Sequence, residues 1–154
     1  MQTIFEISII PDMEVVKVVS VLAVVGMISL FLAIRYRKIY QRTFLLFWGC
    51  ITSVFGVFLL LLHVSYHLYI YCNYIVGNYQ ILEGAVNVLY EQPKNGHAPG
   101  DLLEVNGENL TLDFYEVSPG YNITISNGGL LINGRQVKLY VYDGIILRID
   151  TIKS

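Results

Sequence analysis

Two long stretches of this chain carry no charged side chain. Residues 18–34 and 43–82 contain no Asp, Glu, Lys or Arg, although 14% of the 154 residues are charged. A membrane-spanning helix needs roughly 20 mainly apolar residues, so we expect spans at 15–34 and 43–72 and the lipid bilayer as a partner. This pattern, with 55% hydrophobic residues, excludes an ordinary cytosolic domain, a disordered chain and a basic nucleic-acid-binding protein.

A cleaved signal peptide is the competing interpretation of the first apolar stretch. Signal peptides begin with basic residues and have a shorter apolar core. Here the first fourteen residues contain Glu6, Asp12 and Glu14 but no Lys or Arg. We therefore predict that the first stretch is a retained span.

The loop between the two stretches predicts the orientation of the chain. Residues 35–42 hold four basic side chains, namely Arg35, Arg37, Lys38 and Arg42. Because short cytoplasmic loops are enriched in Lys and Arg, we expect this loop in the cytoplasm. Both the short N-terminus, residues 1–14, and the C-terminal region would then be extracytoplasmic. The alternative is a large C-terminal domain that stays cytosolic whatever the loop charge.

The end of the second stretch is rich in tyrosine and contains two histidines. The tyrosines are Tyr66, Tyr69, Tyr71, Tyr74 and Tyr79. Such rings favour the membrane interface, so we expect an aromatic belt at the outer surface. His63 and His67 would share one helix face and are weak candidates for a metal pair. Apart from Cys72, no further metal-ligating side chain stands close by, so we predict no metal.

Small residues recur four positions apart along both stretches. The pairs are Ser29 with Ala33, Gly49 with Ser53, and Thr52 with Gly56. Faces of this kind allow helices to approach closely. They would pack the two spans together or join two copies of the chain in a homo-oligomer.

The region 73–154 reads as a small all-β domain. Turn signals stand at 106–107, 133–134 and 143–144, where Asn-Gly and Asp-Gly favour tight hairpins. We predict a small antiparallel barrel or sandwich, OB-like, with five or six strands. The predicted strands are 79–90, 101–106, 108–115, 121–126, 135–142 and 145–151. The overall fold class is then a two-helix transmembrane hairpin followed by this β domain.

The last hairpin allows a prediction of register. With a three-residue loop at 142–144, Leu139 faces Leu147 and Val137 faces Ile149, so one face is wholly apolar. A two-residue loop would place Leu139 opposite Arg148. Since a one-residue slip exchanges the two faces of a strand, we expect the three-residue loop.

Two Gly- and Pro-rich loops are the expected binding face of the domain. They cover residues 91–100 and 118–129, and binding residues concentrate on loops of this kind. The predicted contact residues are His97, Tyr121 and Asn122. Asn109 and Asn122 also begin glycosylation sequons, which matter only in a eukaryotic secretory protein.

Short motifs follow one another in a defined order along the β region, at 77–79, 83–86, 96–97, 105–107, 119–124, 128–129, 134 and 137–142. In this order they resemble a group of small bacterial inner-membrane proteins with two N-terminal spans and a compact β domain. The group has no established function, so the resemblance implies an architecture and no activity. Residues 113–115 depart from the more polar sequence expected there.

No motif for a nucleophile, a phosphate loop or a metal hydrolase is present, so we expect a non-catalytic protein without a cofactor. The leading hypothesis is a membrane-anchored binding or accessory module that presents its β domain at the outer face of the cytoplasmic membrane. The alternative is a membrane-acting effector, of the antiphage or toxin type, in which the β domain senses a ligand in the cytosol. A purely structural subunit of a larger complex is the third possibility.

Overall fold

The chain forms two long helices and seven strands. The computed structural model describes residues 1–36, 38, 40–94 and 99–151. Helix α1 is Met13–Arg35 and helix α2 is Arg42–Val76. The strands are β1 Gln2–Glu6, β2 Gln80–Ala85, β3 Asn87–Tyr90, β4 Asp101–Val105, β5 Glu108–Leu112, β6 Gln136–Tyr142 and β7 Ile145–Thr151. A short 3-10 helix covers Ile125–Asn127. The predicted layout of two helices and an antiparallel β region is confirmed.

Polar residues set the ends of the two helices. The Asp12 carboxylate accepts a hydrogen bond from the backbone N–H of Glu14 at 2.8 Å and so caps the first turn of α1. At the other end of α1, the side chain of Arg42 donates to the carbonyl oxygen of Ala33 at 3.2 Å. Both helices are long and apolar enough to cross a membrane, judged by length and composition. α2 extends four residues beyond the predicted span.

Residues 10–68 form one compact unit, and small side chains pack its helices together. A Cβ atom added to Gly26 would lie 2.5 Å from the backbone nitrogen of Ser53, and one added to Gly56 would lie 2.8 Å from that of Ala23. Real Cβ atoms do not approach so closely, so only glycine fits. The small-residue faces thus join α1 to α2 within one chain.

Residues 1–9 and 69–154 form the second unit, and its strands make two antiparallel sheets. One sheet has the order β1-β7-β6-β2 and the other the order β3-β4-β5. Neither sheet closes on itself, so the barrel form of the prediction has no support, and a pair of open sheets stands in its place.

The predicted strand 79–90 is divided between the two sheets. β2 pairs with β6, and β3 pairs with β4. Val86 lies between them, and both its N–H and its C=O bond to the segment 134–135 instead of to a strand. The chain therefore turns from one sheet into the other at this residue.

Buried aliphatic residues of both sheets form the main core of the β unit. Strands β6 and β7 contribute Val137, Leu139 and Ile149, which are fully buried. The second sheet adds Leu103, Val105, Leu110 and Leu112. Burial of apolar surface at roughly 25 cal/mol per Å² makes this core the principal stabilising element of the unit.

Strand β1 is the largest departure from the sequence prediction. Residues 1–14 read as a short tail, yet Gln2–Glu6 pairs antiparallel with β7, with Gln2 opposite Thr151. A side-chain cluster reinforces this pairing. Arg148 of β7 bonds to both carboxylate oxygens of Asp150 at 2.9 and 3.0 Å and to the Thr3 hydroxyl at 2.9 Å. The N-terminal residues are therefore part of the β domain.

The predicted strand 121–126 is also wrong. Its alternating side chains suggested a strand, but Ile125–Asn127 forms a 3-10 helix. The backbone N–H of Ile125 donates to the carboxylate of Asp101 at 2.7 Å, and that of Gly129 donates to the carbonyl of Thr124 at 2.9 Å. These two bonds, one to a distant side chain and one within the loop, occupy backbone groups that a sheet ladder would need.

The predicted three-residue loop of the β6–β7 hairpin is wrong. Tyr142 pairs with Ile145 across a two-residue turn, and both turn residues have positive φ, 50° at Asp143 and 77° at Gly144. These angles are those of the type I′ turn that matches the twist of hairpin strands. A register shift follows between Tyr140 and Val141.

The register shift keeps one face of the hairpin apolar although the turn has only two residues. It places Ile149 opposite Leu139, so Arg148 does not oppose Leu139. The extra residue on β7 is Leu147, which packs in a separate cluster with Ile7 and Ile70. A bulge of one residue therefore restores the apolar face that a longer loop was expected to provide.

The tyrosines at the end of α2 pack on the β unit. The hydroxyl groups of Tyr69 and Tyr142 lie 2.8 Å apart, and the hydroxyl of Tyr74 donates to the carboxylate of Glu6 at 2.5 Å. Tyr79 stacks edge-on against Tyr140, with ring centroids 5.2 Å apart. These tyrosines thus attach the last turns of α2, residues 69–76, to the sheet of the same unit.

Candidate binding cleft

A polar cleft of about 290 Å³ opens beside the outer edge of strand β5. Pockets for small organic ligands usually measure about 300–1,000 Å³, so this cleft is at the small end of that range. One wall is the continuous backbone of β5, and the other is built from the loop after β5 and the tip of the β6–β7 hairpin. The lining residues are Asn109, Leu110, Thr111, Leu112, Asp113, Glu116, Ser118, Tyr121, Asn122, Asp143, Gly144 and Ile145.

The loop wall of the cleft is held in place by side-chain to backbone bonds. Asn122 donates from its amide nitrogen to the carbonyl oxygen of Glu116 at 2.7 Å. Asp113 accepts from the backbone N–H of Tyr115 at 3.0 Å and from the side-chain amide of Gln92 at 3.1 Å. The loop after β5 is therefore tied at both ends, which orders the groups that face the cleft.

Asp101 anchors the same region from the interior. Its side chain is fully buried, and its two oxygens accept from the backbone N–H groups of Gln92 and Ile125, each at 2.7 Å. Gln92, also buried, then reaches Asp113 at the end of β5. One buried carboxylate thus links β4, the segment after β3 and the 3-10 helix. Sequence analysis did not predict this network, since its members are far apart along the chain.

Tyr121 lines the cleft, but its side chain is mostly buried in the core beneath it. Only 4% of the residue is exposed, its ring packs edge-on against Phe5 at 5.1 Å, and its hydroxyl accepts from the backbone N–H of Leu130. Burial raises the pKa of this phenol, so it stays protonated over the physiological range. We therefore assign Tyr121 to the floor of the cleft.

The cleft carries negative charge. Asp113, Glu116 and Asp143 line it, and Lys and Arg do not occur among its lining residues in the described chain. No described residue forms an ion pair or a side-chain hydrogen bond with the Glu116 and Asp143 carboxylates. The cleft can therefore accept hydrogen bonds and attract cations, and it is a poor host for phosphate groups.

Of the predicted contact residues, Tyr121 and Asn122 both line this cleft, and their role as contacts stays a prediction. His97 lies outside the described residues, and so does Arg37 of the basic loop. Asn109, the other sequon residue, lies on the β5 wall. Sequence analysis missed that wall, because the openness of a strand edge depends on which strands pair.

The two histidines of α2 do not form a metal site with other described residues. His67 is buried, and the Nε2 atom of His63 is buried without a described hydrogen-bond partner. No group of three or more His, Cys, Asp or Glu side chains within the described ranges is arranged to hold a metal ion. The structure therefore does not strengthen the weak metal hypothesis.

A second, shallower cavity of about 570 Å³ lies beside the β6–β7 turn. It is lined by residues 78–80 and 141–144 and shares Asp143 and Gly144 with the cleft. Tyr79 and Tyr142, which line it, also belong to the tyrosine cluster at the end of α2.

No family model, no curated protein and no solved structure matches this chain.

Proposed function

We propose that this protein is a membrane-anchored, non-catalytic binding or accessory module. Its β domain would be displayed at the outer face of a bacterial cytoplasmic membrane, where the cleft beside β5 receives a partner molecule. The observation that carries the proposal is the cleft itself, whose loop wall is ordered by side-chain hydrogen bonds and whose two exposed carboxylates have no described partner within the chain.

Strand pairing supports the membrane part of the proposal. Residues before α1 and residues after α2 meet in one sheet through β1 and β7. Both ends of the helix pair must therefore lie on one side of the membrane, which two crossings allow and one crossing forbids. Cleavage of α1 as a signal peptide would remove β1 from the chain, so this pairing also favours a retained span.

The basic loop supports the outward orientation. Arg35, Lys38 and Arg42, with Arg37, place four positive charges between the two helices. Short loops of this charge remain in the cytoplasm. The β domain would then be extracytoplasmic.

The effector alternative requires a domain that binds a cyclic nucleotide or a similar cytosolic signal. Three carboxylates around the cleft would repel its phosphate groups. The charge of the cleft therefore favours the binding module over the effector.

Site-specific photocrosslinking in native membranes tests the proposal. A benzoylphenylalanine at Thr111, on the β5 wall, should give discrete adducts that weaken when Asn122→Ala releases Glu116. The matched control places the same group at Gln136, an exposed residue of β6 outside the cleft. Equal adducts at both positions, or none at Thr111, would show that the cleft is not a binding site.

A further inference from the structure

The outer edge of β5 has backbone groups that no described strand pairs. β5 is the last strand of its sheet, after β4. The β4–β5 turn is Asn106-Gly107, with φ of 53° and 82°, which makes it a type I′ turn. In such hairpins the residues that flank the turn, here Val105 and Glu108, exchange both backbone hydrogen bonds.

Hydrogen-bonded pairs then recur at every second position of the ladder. From the observed register they are Leu103 with Leu110 and Asp101 with Leu112. The backbone N–H and C=O groups of Asn109 and Thr111 consequently point away from β4 and into the cleft. Neither residue's backbone bonds to another described residue on this side.

This edge is suited to receive an additional strand. Unpaired edges bind extended peptides through main-chain bonds, with side chains giving specificity. β5 has five residues, which span about 17 Å at about 3.4 Å per residue. The side chains of Leu110 and Leu112 are buried, so one face of β5 packs against the core.

The charge around the edge selects the occupant. Glu116 and Asp143 line the cleft, and their carboxylates have no partner among the described residues; Asp113 follows the strand directly. A second copy of this chain would bring the same carboxylates to the same edge, and like charges oppose such pairing. A segment with Lys or Arg side chains would instead form charge-assisted bonds there.

We infer that the cleft binds an extended, cationic peptide segment of a partner protein, which adds as a strand to the outer edge of β5. This inference rests on the proposed function and names the class of partner. The main-chain bonds would come from Asn109 and Thr111, and the charge preference from Glu116 and Asp143.

Designed peptides test the inference with the full chain in phosphatidylcholine nanodiscs, whose zwitterionic lipid does not itself attract cations. The probe is fluorescent Val-Lys-Val-Lys-Val-Lys, with blocked ends, measured by anisotropy. We expect it to bind, and a version N-methylated at alternate residues to bind about tenfold more weakly, since methylation removes strand hydrogen bonds. The same sequence with Glu in place of Lys should not bind.

A matched pair of variants locates the binding edge. Thr111→Pro removes the outward N–H and leaves the bonds to β4, because proline is tolerated on edge strands. Thr111→Val keeps that N–H. The proline variant should bind the probe about five- to tenfold more weakly than the valine variant. The double variant Glu116→Gln, Asp143→Asn should lose most of the salt dependence of binding.

Failure of the probe to bind the parent chain, or equal binding of its N-methylated version, would overturn the inference even if Thr111→Pro does not fold. If cleft adducts persist in membranes while the Lys probe fails, the binding module stands and its ligand is not a cationic strand. If both fail, the proposed function fails as well.

Discussion

The carboxylate of Asp101 connects two segments that lie outside the described strands, one at Gln92 and one at Ile125. It accepts from the backbone N–H groups of Gln92 and Ile125 while fully buried. A buried donor that loses its acceptor keeps its desolvation penalty, about 1–3 kcal/mol. The loops that build the cleft thus depend on a residue that does not line it.

Asp101→Asn should destabilise the β unit by about 1–3 kcal/mol, because the new amide NH₂ faces one of two N–H donors. Hydrogen exchange of the β4 amides in the detergent-solubilised full chain measures this change. The matched control is Asp143→Asn, which is exposed and for which Asn also accepts a positive φ; it should change stability by less than about 0.5 kcal/mol. Equal effects of the two variants would refute the role of Asp101.

Asp150 predicts a dependence of stability on pH. Burial favours its protonated form, but the hydrogen bonds from Arg148 and Thr3 outweigh burial and hold the pKa of this carboxyl below its ordinary value. Since the unfolded pKa is about 3.9, the ionised carboxylate stabilises the fold above that pH. This contribution is lost as the pH falls through the folded pKa.

Asp150→Asn should therefore lower the thermal midpoint at pH 7 and flatten its decline below about pH 4. Thermal unfolding of the β unit in the full chain, measured between neutral and acidic pH, gives both quantities. Glu116→Gln, which removes an exposed carboxylate, should leave the profile of the parent chain unchanged. A steeper acid decline in the Asp150 variant would contradict the assignment.

At the scale of elements, strand β1 is an integral part of the sheet. Its backbone pairs with β7, and Phe5 packs against Tyr121 in the main core. Deletion of residues 2–6 should expose the edge of β7 and speed hydrogen exchange of the β7 amides. The control Gln2→Ala keeps the backbone pairing and should leave exchange unchanged. Unaltered protection after the deletion would show that β1 does not stabilise the sheet.

The elements also show what sequence could predict. Both helices and the β4–β5 and β6–β7 hairpins follow from local signals, namely charge-free length and Asn-Gly or Asp-Gly turns. Strand β1 could not be predicted from local patterns, because it is held by pairing with β7, which is distant along the chain. The alternating side chains of 121–126 predicted a strand, but the hydrogen bond from this segment to the Asp101 side chain holds it in another conformation. The β5 wall of the cleft depends on strand order, which local patterns do not encode.

For the whole molecule, the sheet and the basic loop make separate predictions about sidedness. The β1–β7 pairing requires residues 1–9 and the β domain on one side. The loop predicts that this side is extracytoplasmic.

Cysteine labelling separates the two predictions. In a chain with Cys50 and Cys72 changed to Ser, Gln2→Cys and Thr111→Cys should both react with an impermeant thiol reagent in intact cells. Tyr40→Cys, in the exposed loop between the helices, should react only after lysis. If both outer positions resist the reagent until lysis, the orientation is wrong but the pairing stands. If only one reacts, the pairing itself is refuted.

The distance along the chain between β1 and β7 has a consequence for biosynthesis. β1 is made before its partner β7, and α1, α2 and five further strands are made between them. Under the proposed topology, β1 stays unpaired during translation, and the sheet is completed only when both helices have inserted with their outer ends on the same side. If the second helix fails to insert, β1 and β7 end in different compartments. Each then keeps an open edge that is prone to aggregation. Formation of this one ladder thus distinguishes correctly inserted molecules from misassembled ones.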